Sequence, residues 1–209
     1  MSADVSLVVP LRAFSLGKTR LAANLTTSER MHLAEACARS VLCSPGVADI
    51  ERFVVCDDEA TAAWATSIGA RAIRVTTSGL DASLHAAQLD SRCSTSTVII
   101  AHGDLPLADR LVEDVDGLEP APTDVLIVTD RHLDGTNVLV LPRSALGSWR
   151  FAYGPGSKER HAAEARRLGL APRVATHPRL SIDLDTVEDL ALPEVDTFVG
   201  SVLRRERSG

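Results

Sequence analysis

A chain of 209 residues suits one compact domain, and a content of 45% hydrophobic but only 3% aromatic residues asks for a core of Val, Leu, Ile and Ala, which favours helices on a parallel sheet over a sandwich or barrel. A formal charge of -6 argues against a broad nucleic-acid interface, and no apolar run reaches the roughly 18 residues that span a bilayer. The amino terminus lacks a signal-peptide pattern, so the chain is expected in the cytoplasm, and Cys37, Cys43, Cys56 and Cys93 show no paired spacing and read as reduced thiols.

In chain order, "VSLVVP" (5–10) reads as a buried strand. "TTSERMHLAEACARSVL" follows as a helix over 27–43, because Thr26 and Glu29 form a capping box and Leu33, Cys37 and Val41 fall on one face. "RFVVC" (52–56) is the second strand, "DEATAAWATSIG" (58–69) a helix closed by Gly69, and "RAIRV" (71–75) a third strand. "LDASLHAAQLDS" (80–91) is a helix and "STVIIAH" (96–102) a strand. Strand and helix thus alternate as successive crossovers in one sheet do. "DVLIVTD" (124–130) and "NVLVLP" (137–142) are then two strands joined by "RHLDGT", a local antiparallel excursion. "YGPGSKERHAAEARRLG" (153–169) is a glycine-rich turn feeding a helix. "LSIDLDTVEDLAL" (180–192) is a strand ending in two aspartates before a short helix, and the tail "RRERSG" (204–209) is a frayed, solvated end. The expected class is α/β: three layers, with a mainly parallel central sheet flanked by helices.

Asp104, in "IIAHGDLPL", stands directly after an apolar strand, where an unpaired buried carboxylate costs several kcal/mol; it must meet a cation, a set of donors or water. Asp183 and Asp185, in "IDLD", lie two apart, which in a strand puts both carboxylates on one face and turns Leu184 to the other. Carboxylates so close repel each other unless a divalent cation sits between them, and Mg2+ favours a few carboxylates completed by water and phosphate oxygens. Asp104 would complete such a site. The alternative is that Asp183 or Asp185 only caps the helix near Thr186.

Arg12, Lys18 and Arg20 lie on "PLRAFSLGKTRLA" (10–22), the loop after the first strand, with Gly17 as its flexible point. Ligands of open parallel sheets bind beyond the carboxyl ends of strands, so these cations are placed to neutralise a polyphosphate. The alternative is a solvated loop with ordinary charges. "DGTN" (134–137) and "YGPGSKERH" (153–161) bring Gly135, Gly154 and Gly156, which let backbone approach a ligand, and Ser157, whose helix start offers amides to a phosphate. For either stretch a tight turn with a serine cap is the plain alternative, and His161 reads as a surface or capping residue.

A basic loop, a carboxylate-held metal and a second anion cradle imply two phosphorylated molecules. That is the arrangement for nucleotidyl transfer, in which one phosphate attacks the α-phosphorus of a nucleoside triphosphate and pyrophosphate leaves. A phosphate monoester, with a second pKa of about 6, is already ionised at neutral pH, so no general base is required. Catalysis would rest on positioning and on neutralisation of developing charge by metal, Arg and Lys.

The ordered set "VVPLRAFSLGKTRLA", "GLDASLHAA", "GDLPL", "DGTNVLVL", "YGPGSKERHAAEA" and "IDLDTVEDL" resembles the 2-phospho-L-lactate or phosphoenolpyruvate guanylyltransferases of coenzyme F-420 biosynthesis over nearly the whole chain. The resemblance implies a single nucleotidyltransferase domain over 1–209 with a nucleotide-diphospho-sugar transferase-like fold, GTP as donor, Mg2+ as cofactor and a small phosphorylated carboxylic acid as acceptor. Carried over by position, Asp104, Asp183 and Asp185 would be the metal carboxylates. Lys18 and Arg20 would face the GTP phosphates as catalytic groups with Asp104, while Arg12, Leu80, Asp81 and Ser83 would contact the nucleotide. Thr136, Gly154 and Ser157 would hold the acceptor's phosphate, largely through backbone amides. Asp81 stands where the family usually has Asn, and Lys158 and Glu159 add charge beside the cradle. Phosphoenolpyruvate is favoured as acceptor on the Ala- and Arg-rich composition, ahead of 2-phospho-L-lactate and 3-phosphoglycerate. Two other readings stay open: a nucleotidyltransferase of the same fold acting on a pterin cofactor or sugar phosphate, whose usual G-x-S-x-R-type first loop is absent here, and a non-catalytic nucleotide-binding module.

Overall fold

The computed structural model describes residues 4–121 and 124–206. Seven strands form one sheet: β1 (Val5–Pro10), β2 (Glu51–Cys56), β3 (Arg71–Arg74), β4 (Thr97–Ala101), β5 (Asp124–Val128), β6 (Val138–Pro142) and β7 (Ala171–Ala175), in the order β3-β2-β1-β4-β6-β5-β7. Only β6 runs against its neighbours, pairing antiparallel with β4 and with β5; the other adjacent pairs are parallel. The helices are α1 (Thr27–Leu42), α2 (Glu59–Ser67), α3 (Leu80–Ala86), α4 (Leu89–Arg92), α5 (Leu111–Asp116), α6 (Ser157–Arg167), α7 (Val187–Leu190) and α8 (Pro193–Glu206).

Both faces of the sheet are covered, so its central strands are apolar on both sides. In β4, Ile99 and Ala101 enter one core cluster while Val98 and Ile100 enter the other. The expected capping box of α1 is present: Glu29 N–H donates to Thr26 Oγ1 (3.2 Å) and Thr26 N–H to Glu29 Oε2 (2.9 Å). Leu33, Cys37 and Val41 of that helix are fully buried; Leu33 and Cys37 join Leu21 of the first loop and Leu184 in a third cluster. Each such aliphatic side chain contributes roughly 1.5 to 3 kcal/mol, so α1 is clamped to the loop that carries the basic residues.

The antiparallel strand decides where the site lies. Because β6 enters the sheet at the edge where β4 leaves it, Ala101 pairs with Val138, and His102 N–H donates to the Asn137 carbonyl at 2.9 Å. Thr136 and Asp104 therefore emerge on the same edge.

Several expectations need correction. The segment 180–185 is not a strand; it is irregular, and the Leu184 N–H donates to the Asp104 carbonyl at 3.0 Å. The alternation inferred for it survives, since Leu184 is fully buried while its neighbours are part-exposed. A strand absent from the sequence reading, β7, closes the far edge. Its residues are mostly exposed and include Pro172 and Arg173, features of an edge strand without an apolar signature. The helix expected over 80–91 breaks into α3 and α4 at Gln88, whose φ is 48°. The tail is not frayed at its start: Arg204 to Glu206 continue α8, and 207–209 lie outside the described residues.

Candidate active site

The loop after β1 folds into two 3-10 turns, Phe14–Leu16 and Thr19–Leu21, with Lys18 between them at φ 56°. That left-handed kink drives the Lys18 side chain inward, where it is only 4% exposed, 3.9 Å from Asp104 Oδ2 and 3.7 Å from Asp185 Oδ1. Arg20 stays in solvent with Nη1 3.8 Å from Asp185 Oδ2. Burial alone would depress the Lys18 ammonium, yet Asp104, Asp185 and Asp183 hold it above its usual value.

Asp104 reaches this point through Gly103, where a Cβ would run into the Leu11 Cδ2 methyl of the first loop; a larger residue there requires the Leu11 side chain to move. Asp183 is pushed up to about 6, first by burial and then by Asp104 and Asp185. Burial and Asp104 raise Asp185 as well, with Lys18 and Arg20 opposing. Asp104 Oδ1 is buried with no hydrogen-bond partner. The site is thus short of positive charge by the measure of its own carboxylates, which suits a divalent cation. Among the described residues, however, no three acidic, His or Cys side chains already form a ready-made ligand group, and the Lys18 ammonium lies within 4 Å of both Asp104 and Asp185.

The capping alternative for Asp183 and Asp185 does not hold. Thr186 is the N-cap of α7, in a capping box with Asp189, whose Oδ2 accepts from Thr186 N–H (2.7 Å), Thr186 Oγ1–H (2.9 Å) and Asp185 N–H (2.9 Å). Asp189 Oδ1 accepts from Arg131 Nε (2.9 Å) and lies 2.7 Å from Arg131 Nη2, tying the β5–β6 connection to the aspartate segment. The Asp183 and Asp185 carboxylates take no part in the cap.

A cleft of about 590 Å3 opens from Lys18, Asp104 and Asp185 along the carboxyl ends of β4, β1 and β2. Of the residues expected to contact a nucleotide, Arg12, Leu80 and Ser83 line it. Asp81 does not; its Oδ1 accepts from Tyr153 N–H at 2.8 Å. An asparagine carbonyl could accept the same bond, so Asp81 in place of the family's Asn preserves the link between α3 and the turn before α6.

Thr136, Gly154 and Ser157 gather at the start of α6, with Gly154 at φ 92° and Gly156 at φ 73°. Thr136 and Ser157 are 2% and 1% exposed, so their hydroxyls lie beneath the surface. The Gly156 N–H donates to Asp134 Oδ2 at 2.8 Å, and the Ser157 N–H to the Gly154 carbonyl at 3.0 Å. His161 is not a surface residue. It is fully buried, on the face of α6 that also carries Ser157 and Ala165, and that four-residue spacing was the overlooked signal. Its Nε2 accepts from Ala152 N–H (3.2 Å), which leaves the ring proton on Nδ1 to donate to Thr136 Oγ1 (3.0 Å). Burial pushes this imidazole down to about 4, so it is neutral. Ser157 Oγ lies 3.4 Å from Thr136 Oγ1 and is set to donate to it, which leaves the Thr136 hydroxyl hydrogen for a further acceptor.

His102, which lines the cleft, packs against Tyr153 with their rings 5.1 Å apart, and Tyr153 lies 4.7 Å from His161; Thr136, Gly154, Ser157 and Asp183 are not themselves part of the cleft's lining. His102 Nε2 and Tyr153 Oη are buried without partners. The sequence reading passed over both, although His102 stands two residues before Asp104.

A mainly parallel sheet with one reversed strand, carboxylates at the β4 edge and a basic first loop define an open α/β fold whose polar groups gather at the carboxyl ends of its strands. A solved structure of that fold, described as a nucleotide-diphospho-sugar transferase from Desulfovibrio desulfuricans G20, superposes with a TM-score of 0.70 at 13% identity, covering 99% of this chain and 96% of that one. The chain belongs to the family of CofC-like guanylyl transferases, whose model matches residues 5–195. It is 35% identical to a phosphoenolpyruvate guanylyltransferase of Roseiflexus castenholzii over 90% of this chain and 86% of that protein. It is 33% identical to a 2-phospho-L-lactate guanylyltransferase of Methanothermobacter thermautotrophicus over 88% and 81%.

Proposed function

We propose that this protein transfers GMP from GTP to the phosphate of a three-carbon phosphoacid, phosphoenolpyruvate before 2-phospho-L-lactate, as a step of coenzyme F-420 biosynthesis. The observation that carries the reading is the charge arrangement at one end of the cleft. Lys18, buried, lies within 4 Å of both Asp104 and Asp185, and Asp104 still has an unsatisfied oxygen.

In this mechanism a phosphate oxygen of the acceptor, ionised near neutral pH, attacks the α-phosphorus of GTP; the bond from that phosphorus to the β-phosphate oxygen breaks and pyrophosphate leaves with the electron pair. Arg12, Lys18 and Arg20 neutralise charge along the triphosphate. Thr136, with its hydroxyl hydrogen released by His161 and Ser157, and the Gly154–Ser157 turn orient the acceptor. Asp104, Asp183 and Asp185 would hold Mg2+, which supplies a Lewis acid for the phosphate oxygens. No residue is required to abstract a proton.

The test incubates the protein with GTP, Mg2+ and, singly, phosphoenolpyruvate, 2-phospho-L-lactate or 3-phosphoglycerate, and scores pyrophosphate together with the mass of any GMP adduct. An adduct with phosphoenolpyruvate is expected. Release of no pyrophosphate with any acceptor would leave a binding module instead.

A further inference from the structure

The cleft has two ends of different chemistry. At one, Lys18 sits between Asp104 and Asp185; at the other, Cys56, Asp57, Ser78 and Gly79 line the wall. β2 and β4 flank β1, and neighbouring strands lie about 4.8 Å apart, so the β2 edge carrying Asp57 stands roughly 10 Å from the β4 edge carrying Asp104. That separation is comparable to the reach from the α-phosphorus of a purine nucleotide to the far edge of its base.

Three carboxylates line the cleft: Asp57, Asp104 and Asp185. Lys18 engages the last two. Asp57 is exposed, and among the described residues its carboxylate accepts no hydrogen bond and makes no ion pair. The cap of α2 does not need it, because the adjacent Asp58 accepts from Thr61 N–H at 2.8 Å. An unengaged carboxylate on a cleft wall has two oxygens to offer to two adjacent donors. Guanine presents such a pair, N1–H and the 2-amino group, on one edge. Adenine has an acceptor at N1 and no 2-amino group, and uracil flanks its single N–H with carbonyls, so the same carboxylate repels both.

We infer that Asp57 reads the base, its two carboxylate oxygens accepting hydrogen bonds from N1–H and the 2-amino group of guanine. This rests on the proposed use of GTP and assigns the selection to one side chain. Asp57→Asn is nearly isosteric and keeps one acceptor while turning the other into a donor. That pattern matches xanthine, which has N1–H beside a C2 carbonyl.

The experiment measures kcat/KM of the full chain for GTP, ITP and XTP at saturating acceptor, in the wild type, Asp57→Asn and Asp57→Ala, with circular dichroism and melting midpoint as fold controls. The wild type should use ITP, which lacks the 2-amino group, at least about tenfold less well than GTP. Asp57→Asn should lose at least about 100-fold with GTP and gain at least about tenfold with XTP; Asp57→Ala should lose GTP without gaining XTP. Equal use of ITP and GTP by the wild type overturns the inference. So does an unchanged GTP-to-XTP ratio in a folded Asp57→Asn, including a parallel loss of both. If the wild type forms no GMP adduct with any acceptor, the proposed transfer fails, and the inference is decided by equilibrium binding of fluorescent GTP and XTP. The same exchange of preference supports it there, and an unchanged preference overturns it.

Discussion

Asp183 is held above the ordinary carboxylate range first by its burial and then by Asp104 and Asp185. Its value of about 6 exceeds the ordinary 3.8, so the folded chain binds the extra proton between those values. Stability therefore falls as pH rises from about 4 to 6, and the cost persists above that window. Asp183→Asn removes it: without divalent ion, the variant should gain up to about 3 kcal/mol on the wild type between pH 4 and pH 8 in urea denaturation. A pH-independent difference would show that neither burial nor Asp104 and Asp185 disfavour its charged form. Asp183→Asn and Asp104→Asn should also each lose at least about 1000-fold in turnover with unchanged circular dichroism; a near wild-type rate removes that residue from the site. Ser157→Ala should lose less than about tenfold, because it removes only a 3.4 Å donor to Thr136 while His161, at 3.0 Å, still orients that hydroxyl. A loss as deep as that of the aspartate variants would show that the hydroxyl itself is needed.

At the scale of elements, two joints hold the site. Gly103 lets β4 meet the first loop, and Gly103→Ala forces a Cβ into Leu11. It should cost about 1 to 3 kcal/mol in denaturation and lower kcat/KM for GTP more than it lowers the melting point would suggest; wild-type kinetics would free the loop from that contact. The second joint is Arg131 with Asp189, which is 3% exposed. Arg131→Ala leaves that carboxylate with its amide and hydroxyl donors but no cation, and should cost about 1 to 3 kcal/mol, read by the same unfolding assay. These joints were not legible in the sequence, because Arg131 and Asp189 are 58 residues apart and a tertiary ion pair leaves no local pattern. The elements with strong local signals were legible: the Thr26–Glu29 box, and the apolar runs of β1, β2, β4, β5 and β6. β7 was not, because an exposed edge strand carrying Pro172 has no buried face to write into its sequence.

For the whole molecule, the topology gathers residues that the chain keeps far apart. Lys18 arrives from the β1 edge, Asp104 from β4, and Thr136 from a strand entering the sheet backwards. The carboxylates and basic loop could be read early, since charge at a strand end has few explanations. The buried side of the cradle was legible only in the Ser157–His161–Ala165 spacing; Tyr153, half-buried against His161 and His102, leaves no such pattern. The most direct measurement is a crystal grown with a non-hydrolysable GTP analogue and Mn2+, read by anomalous scattering. The account predicts a manganese peak within coordinating distance of Asp104, Asp183 and Asp185, with the nucleotide's phosphates beside Lys18. A bound nucleotide with those carboxylates apart and no peak among them would contradict it.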